Sequence, residues 1–244
     1  MKLTIIGYWG GYPGVDEASA CYLLEKNGYK LALDFGSGAL SKIQKYTNVL
    51  ELDAVILSHY HADHVADIGV LQHILLVQSY ITGHTKKVKI YGHRENPLEF
   101  RRLDDEYTEA VEYDPNNALK IGPFFIRFLR TKHPVPCFGM RITDGKSTIV
   151  YTGDSAYQDE WIKFSKGADL LLSECNYYKG QDGTAAGHMT SEDVGHIASE
   201  ADVKEVILTH LPHFGHHPQL LNETKEQFNG KIQLAKEGLI WERE

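Results

Sequence analysis

The chain has 244 residues, 42% hydrophobic and 24% charged, a globular composition with enough length to bury a substantial core. Its 25 basic and 33 acidic residues give a net charge of −8, which argues against a protein coated in basic patches for holding nucleic acid, but not against an enzyme with a local positive groove. No apolar run approaches the roughly 20 residues of a membrane span, and the apolar stretch at residues 3–6 is too short for a secretory signal.

Short apolar runs bounded by turn residues predict strands over 3–6, 20–24 and 30–34, with a glycine-rich loop at 7–14 between the first two. Residues 54–58 (AVILS) are continuously apolar, as expected of a strand buried on both faces. Apolar residues at helical spacing, with Ile68, Leu71, Ile74 and Leu75 on one side, predict a helix over 65–80. Residues 88–91 read as a further strand. Asp114-Pro115-Asn116-Asn117 is a strong turn cluster near the midpoint. Beyond it, strands are predicted over 124–128, 139–143, 148–152, 169–174 and 205–209, and helices over 191–200 and 219–228. Strands with helices between them in each half predict an α/β protein of two sheets packed face to face and covered by helices. The turn cluster is not a convincing linker, so the chain reads as a single domain, 1–244, of two halves (about 1–115 and 116–244).

Cys21, Cys137 and Cys175 are scattered without CxxC spacing, which predicts a reducing, cytoplasmic setting and no disulfide framework. The unusual count is 13 histidines, and the densest group of them carries the functional argument. Ser58-His59-Tyr60-His61-Ala62-Asp63-His64 follows the apolar strand directly, placing four potential ligands between a strand and a helix. Imidazole and carboxylate suit zinc, with manganese and iron also compatible. His59 and His61 alternate as a strand would, while Asp63 and His64 turn away with the helix, so two adjacent ions sharing one loop is a natural geometry.

This segment matches the HxHxDH signature and resembles the metallo-β-lactamase superfamily, whose fold is a four-layer αββα sandwich with a dinuclear metal site at the sheet edge. Further positions agree in chain order: His133 in a strand-to-loop position, Asp154 just past a strand, and His210 ending the run Val206-Ile207-Leu208-Thr209. The resemblance implies one ion held by His59, His61 and His133, a second by Asp63, His64 and His210, and Asp154 bridging both. Gly187-His188-Met189-Thr190 resembles the GHST-type motif of ribonuclease Z-like members, in which the histidine is catalytic. Independently, Thr190 followed by Asp193 reads as a variant capping box opening a helix. Free amides at that helix start would face the same space as His188 and suit a phosphate. LALDFGSG at 31–38 and DLLLSECN at 169–176 resemble ribonuclease Z segments more softly.

The expected activity is therefore phosphodiester hydrolysis with Asp63 and His188 as catalytic side chains, on RNA, a cyclic nucleotide or another diester, and the resemblance implies a homodimer. Enzymes of tRNA 3′ processing carry a tRNA-clamping arm between the positions matching His133 and Asp154. Here that interval holds only two predicted strands and the Asp144-Gly145 turn, which argues against tRNA. Two other readings stay open: hydrolysis of a lactone, thioester or β-lactam at the same metals, and a non-catalytic metal-binding interaction protein. His213, His216 and His217 could reach over the site or form an ordinary polar loop. His73 and His196 fall within helices and read as structural or exposed. Tyr177 and Tyr178 could stack a base or be plain surface aromatics. The basic clusters at 86–89, 101–102 and 127–132 read as solvated faces paired with acids.

Overall fold

In the computed structural model of the chain, which describes residues 1–83 and 85–243, two compact units are distinguished: Met1–Asp114 with Lys236–Arg243, and Pro115–Ala235. The boundary falls within the predicted turn cluster. Each unit contains one seven-stranded mixed sheet.

The first unit's sheet has β1 (Lys2–Gly7), β2 (Cys21–Lys26), β3 (Tyr29–Leu33), β4 (Ala54–Ile56), β5 (Val88–Gly92) and β6 (Thr108–Glu112) in that order, with the C-terminal β14 (Ile240–Glu242) outside β1. Pairing is antiparallel from β14 to β3 and parallel from β3 to β6. The second sheet runs β7 (Leu119–Ile121), β8 (Phe124–Arg130), β9 (Phe138–Thr143), β10 (Thr148–Tyr151), β11 (Leu170–Glu174), β12 (Glu205–Thr209) and β13 (Lys231–Leu234). It repeats the pattern, antiparallel up to β10 and parallel from there. The halves are thus similar in topology as well as in length.

Helices make the parallel crossovers, because strands that run the same way need a long connection. In the first unit these are α1 (Ala39–Ile43), α2 (Ala62–Val65), α3 (Ile68–Thr82) and α4 (Pro97–Arg101). The second has α5 (Glu160–Ser165), α6 (Ser191–Glu200) and α7 (His217–Lys225). Every residue of β4 is fully buried, as its apolar run demands. Ile68, Leu71 and Leu75 of α3 are buried with Val55, Leu57, Val88 and Ile90, and Ile74 packs partly against this cluster.

Three local readings are corrected by the structure. The helix expected over 65–80 is two, broken at Ala66–Asp67: the Asp67 carboxylate accepts the Leu40 amide of α1 (2.9 Å) and is drawn out of the helical path. Within residues 62–82 an 18-residue window reaches a mean hydropathy of 1.2, long and apolar enough by length and composition alone to cross a membrane. Yet the inner face of α3 lies in the core. His59 and His61 lie in a loop and not on a strand, since β4 ends at Ile56. Helix α7 starts before Pro218 and not after it, because proline needs no amide partner in a first turn.

Candidate metal centre

The first unit contributes the loop 58–61 and helix α2. Asp34 governs both. It follows β3 with φ +54°, is fully buried, and sits beside the loop because β3 and β4 pair in parallel (Leu33 opposite Ile56). Its Oδ1 accepts the Ser58 amide (2.7 Å), and its Oδ2 accepts the Ser58 hydroxyl (2.8 Å) and His64 Nδ1 (2.7 Å). Because the Ser58 proton goes to Asp34, its oxygen accepts from His59 Nδ1 at 3.0 Å. Both His59 and His64 are thereby held as Nδ1–H tautomers, with the lone pair on Nε2. Gly36 lets the chain pass under α2: a Cβ there would stand 1.9 Å from the Asp63 carbonyl.

The potential ligand atoms come in pairs. His59 Nε2 is 3.1 Å from His61 Nδ1, and His64 Nε2 is 3.5 Å from Asp63 Oδ2. Ligands about 2.0–2.1 Å from one tetrahedral ion stand about 3.3 Å apart, so each pair has the separation of two ligands on one ion. His59 and His64 are fully buried, which suits ligation by neutral imidazole better than solvent exposure would. Asp63 Oδ2 also accepts the Gly11 amide (2.7 Å), from the glycine-rich loop.

The second unit contributes His133, Asp154 and His210, all buried to within a few per cent. Asp154 Oδ2 lies between the two imidazoles, 3.9 Å from His133 Nε2 and 3.3 Å from His210 Nε2, the placement of an oxygen shared between two sites. His133 Nδ1 donates to the Gly187 carbonyl (3.1 Å), so its lone pair is also on Nε2. His210 follows β12 at φ +50°, a left-handed conformation held by the Asn176 amide on its carbonyl (2.9 Å). Parallel pairing of β11 with β12 (Glu174 opposite Thr209) brings Asn176 there. In chemistry and spacing, then, the donors of both units fit divalent metals.

His188 is built differently. Its Nδ1 donates to Glu174 Oε1 (2.9 Å), a fully buried carboxylate that also accepts the Ser155 and Asn176 amides (3.0 and 3.3 Å). Its ring stacks on His210 at 5.1 Å and 25°. The predicted capping box is present: Thr190 and Asp193 satisfy each other's amides at the start of α6. Two of the first-turn amides expected to face His188 are committed elsewhere: Ser191 N donates to the Tyr177 carbonyl and Asp193 N to Thr190 Oγ1. A phosphate would meet His188 and not those two amides.

Asp34, Ser58, Glu174 and Asn176 were not singled out as site residues in the sequence. The repeated topology is a signal that could have found the first, since Asp34 after β3 corresponds to Asp154 after β10. His93 after β5 corresponds likewise to His210 after β12, and its ring packs against Tyr60 at a tilt (4.5 Å, 51°). His73 and His196 are exposed helical residues, and His213 and His216 are exposed in a loop. The basic clusters are partly paired with acids, as in Lys86–Asp53 (2.7 Å) and Arg102–Glu99 (2.8 Å).

The family model described as the beta-lactamase superfamily domain matches residues 35–211, which include every metal-ligand candidate. The chain belongs to the metallo-β-lactamase superfamily. It is 51% identical over 243 residues to the probable metallo-hydrolase YhfI of Bacillus subtilis, covering 99% of this chain and 100% of that protein. The crystal structure of YhfI matches with a TM-score of 0.97 at 50% identity over 98% of each chain. The short form of human tRNase Z matches with a TM-score of 0.76 at 20% identity, covering 99% of both chains. A diphosphatase of the PhnP family matches with a TM-score of 0.77 at 19% identity, covering 100% of this chain and 98% of that one. The last two likenesses are of fold. The chain is a metallo-hydrolase of this superfamily.

Proposed function

We propose that the protein is a two-metal phosphodiesterase, an endoribonuclease-type enzyme resembling ribonuclease Z but without its tRNA-clamping arm. The observation that carries this reading is the His188–Glu174 pair. A histidine outside the ligand set, oriented by a fully buried carboxylate and stacked on a ligand ring, is the arrangement of a general acid. Opening a lactone, thioester or β-lactam at the metals has no evident need of it. The interval between His133 and Asp154, occupied largely by β9 and β10, has no room for an arm, so a small or unstructured diester is favoured over tRNA.

In this proposal His59, His61 and His133 hold one ion, Asp63, His64 and His210 a second, and Asp154 both; zinc is the proposed metal. When bound, such ions neutralise phosphoryl oxygens and make water a nucleophile at neutral pH. Asp63, anchored by the Gly11 amide, orients the attacking water. His188, with Nδ1 committed to Glu174, delivers a proton from Nε2 to the departing oxygen or hydrogen-bonds the charge developing on phosphorus. Three buried cysteines that form no disulfide among the described residues support a reducing, cytoplasmic setting.

Metal-loaded protein is expected to hydrolyse bis(p-nitrophenyl) phosphate and to leave p-nitrophenyl acetate and simple lactones essentially untouched. Turnover of the acyl substrates with none of the diester would overturn the proposal. A homodimer is also proposed. Helix α3 presents Val70, Val77, Tyr80 and Ile81 to solvent, with Tyr80 82% exposed, a stripe that a second copy would cover. Sedimentation velocity should report twice the 27.5 kDa chain mass, and a 27.5 kDa species at all concentrations would refute the dimer.

A further inference from the structure

Four residues beyond His210 the chain exposes a phenyl ring. Phe214 is 46% exposed, yet the loop that carries it is braced. Tyr178 Oη donates to the Phe214 carbonyl (3.1 Å), and His217 Nε2 donates to the Pro212 carbonyl (2.7 Å). Gly215, at φ +76°, passes so close to Tyr178 that a Cβ would lie 2.5 Å from the ring. Bracing of this kind holds the ring at the surface when a looser loop would let it fold inward.

The neighbouring rings form a series. Phe214 meets Tyr177 edge-on at 6.1 Å and 69°. Tyr177 lies nearly parallel to His188 at 6.3 Å and 27°, and His188 nearly parallel to His210 at 5.1 Å and 25°. Gly183 lies close against the Tyr177 ring, where a Cβ would come within 2.8 Å. From solvent inward the order is Phe214, Tyr177, His188, His210: an aromatic surface leading to the proposed acid.

We infer that Phe214 and Tyr177 form a nucleobase-stacking subsite beside His188. The inference rests on the diesterase reading and names the side chains that would hold the substrate's base. Every base has a π-face, so such a platform recognises nucleotides with little regard to sequence. A half-exposed, preorganised phenyl ring beside a partly exposed tyrosine provides that surface at little ordering cost. Sugars and phosphocholine-type headgroups lack a flat aromatic base to use it.

The test compares adenosine 5′-monophosphate with ribose 5-phosphate, which share sugar and phosphate but differ in the base. Calorimetry on metal-loaded protein should show the nucleotide binding at least about tenfold more tightly. Phe214→Ala and Tyr177→Ala should each remove most of that preference while leaving ribose 5-phosphate affinity unchanged, and Phe214→Trp should keep it. Phe214 is exposed, so its alanine variant is expected to unfold at the wild-type temperature. Equal affinities in the wild type, a preference that survives both substitutions, or binding of neither compound would overturn the subsite. Loss of the subsite with bis(p-nitrophenyl) phosphate turnover intact would leave the diesterase reading standing. A base preference without any diester turnover would keep the subsite and overturn the reaction.

Discussion

His188→Ala should retain both metals and lose about two to four orders of magnitude in kcat on a phosphodiester. That range corresponds to about 3–5 kcal/mol of transition-state stabilisation. The reasoning starts from Glu174, which is fully buried and accepts bonds from two backbone amides as well as from His188. Such a carboxylate fixes the tautomer and ring plane of the histidine, and removing the imidazole removes the proton donor without disturbing the ligand set. Metal content by elemental analysis and steady-state kinetics check the two halves of the prediction. Partial rescue by added imidazole would separate a lost donor from a distorted site. Near-wild-type turnover in the metal-replete variant would take His188 out of the mechanism.

The second large effect is on metal retention. In Asp154→Ala the oxygen standing between His133 Nε2 and His210 Nε2 is gone, and two buried imidazoles are left without their shared carboxylate. Bound metal should fall from two ions per chain to one or fewer, with diester turnover below detection. Asp34→Asn should act more mildly, weakening metal affinity about 10- to 100-fold, because it touches no ion and only orients His64 and, through Ser58, His59. Stripping the metals from wild type with a chelator should lower Tm by roughly 5–10 °C relative to protein with free metal a hundredfold above Kd. Two retained ions in Asp154→Ala, or an unchanged Tm on chelation, would contradict the ligand assignment.

The prediction from sequence succeeded and missed in a consistent place. Every inner strand of both sheets, β1 to β5 and β8 to β12, was legible as a short apolar run. The four strands that were missed, β6, β7, β13 and β14, are the four sheet edges. An edge strand has a neighbour on one side only and keeps polar residues. Thus β13 (KIQL) contains no fully buried residue, and β14 (IWE) buries only Trp241. Without a continuous apolar run such segments look like loop, and only pairing to an already formed sheet makes them strands. The short helices α1, α4 and α5 were missed for a related reason, since five or six residues show too little periodicity to read.

What the sequence by itself determined is the family and a set of candidate ligands. His59, His61, Asp63 and His64 are clustered in the chain, and a strand end followed by a helix start is enough to imply that they converge. His188 was legible as well, because the Thr190–Asp193 capping box is a local signal that marks where its helix begins. What only the tertiary structure decided is the support behind these residues. Asp34 lies 24 residues from Ser58 and 30 from His64, and Glu174 lies 14 from His188. Their partnerships follow from the register of parallel strands, β3 against β4 and β11 against β12, which no local pattern encodes. Metal ligands repeat a short motif because one ion needs them close together. The carboxylates and amide that orient them need only be close in space, and the sheet is what brings them there.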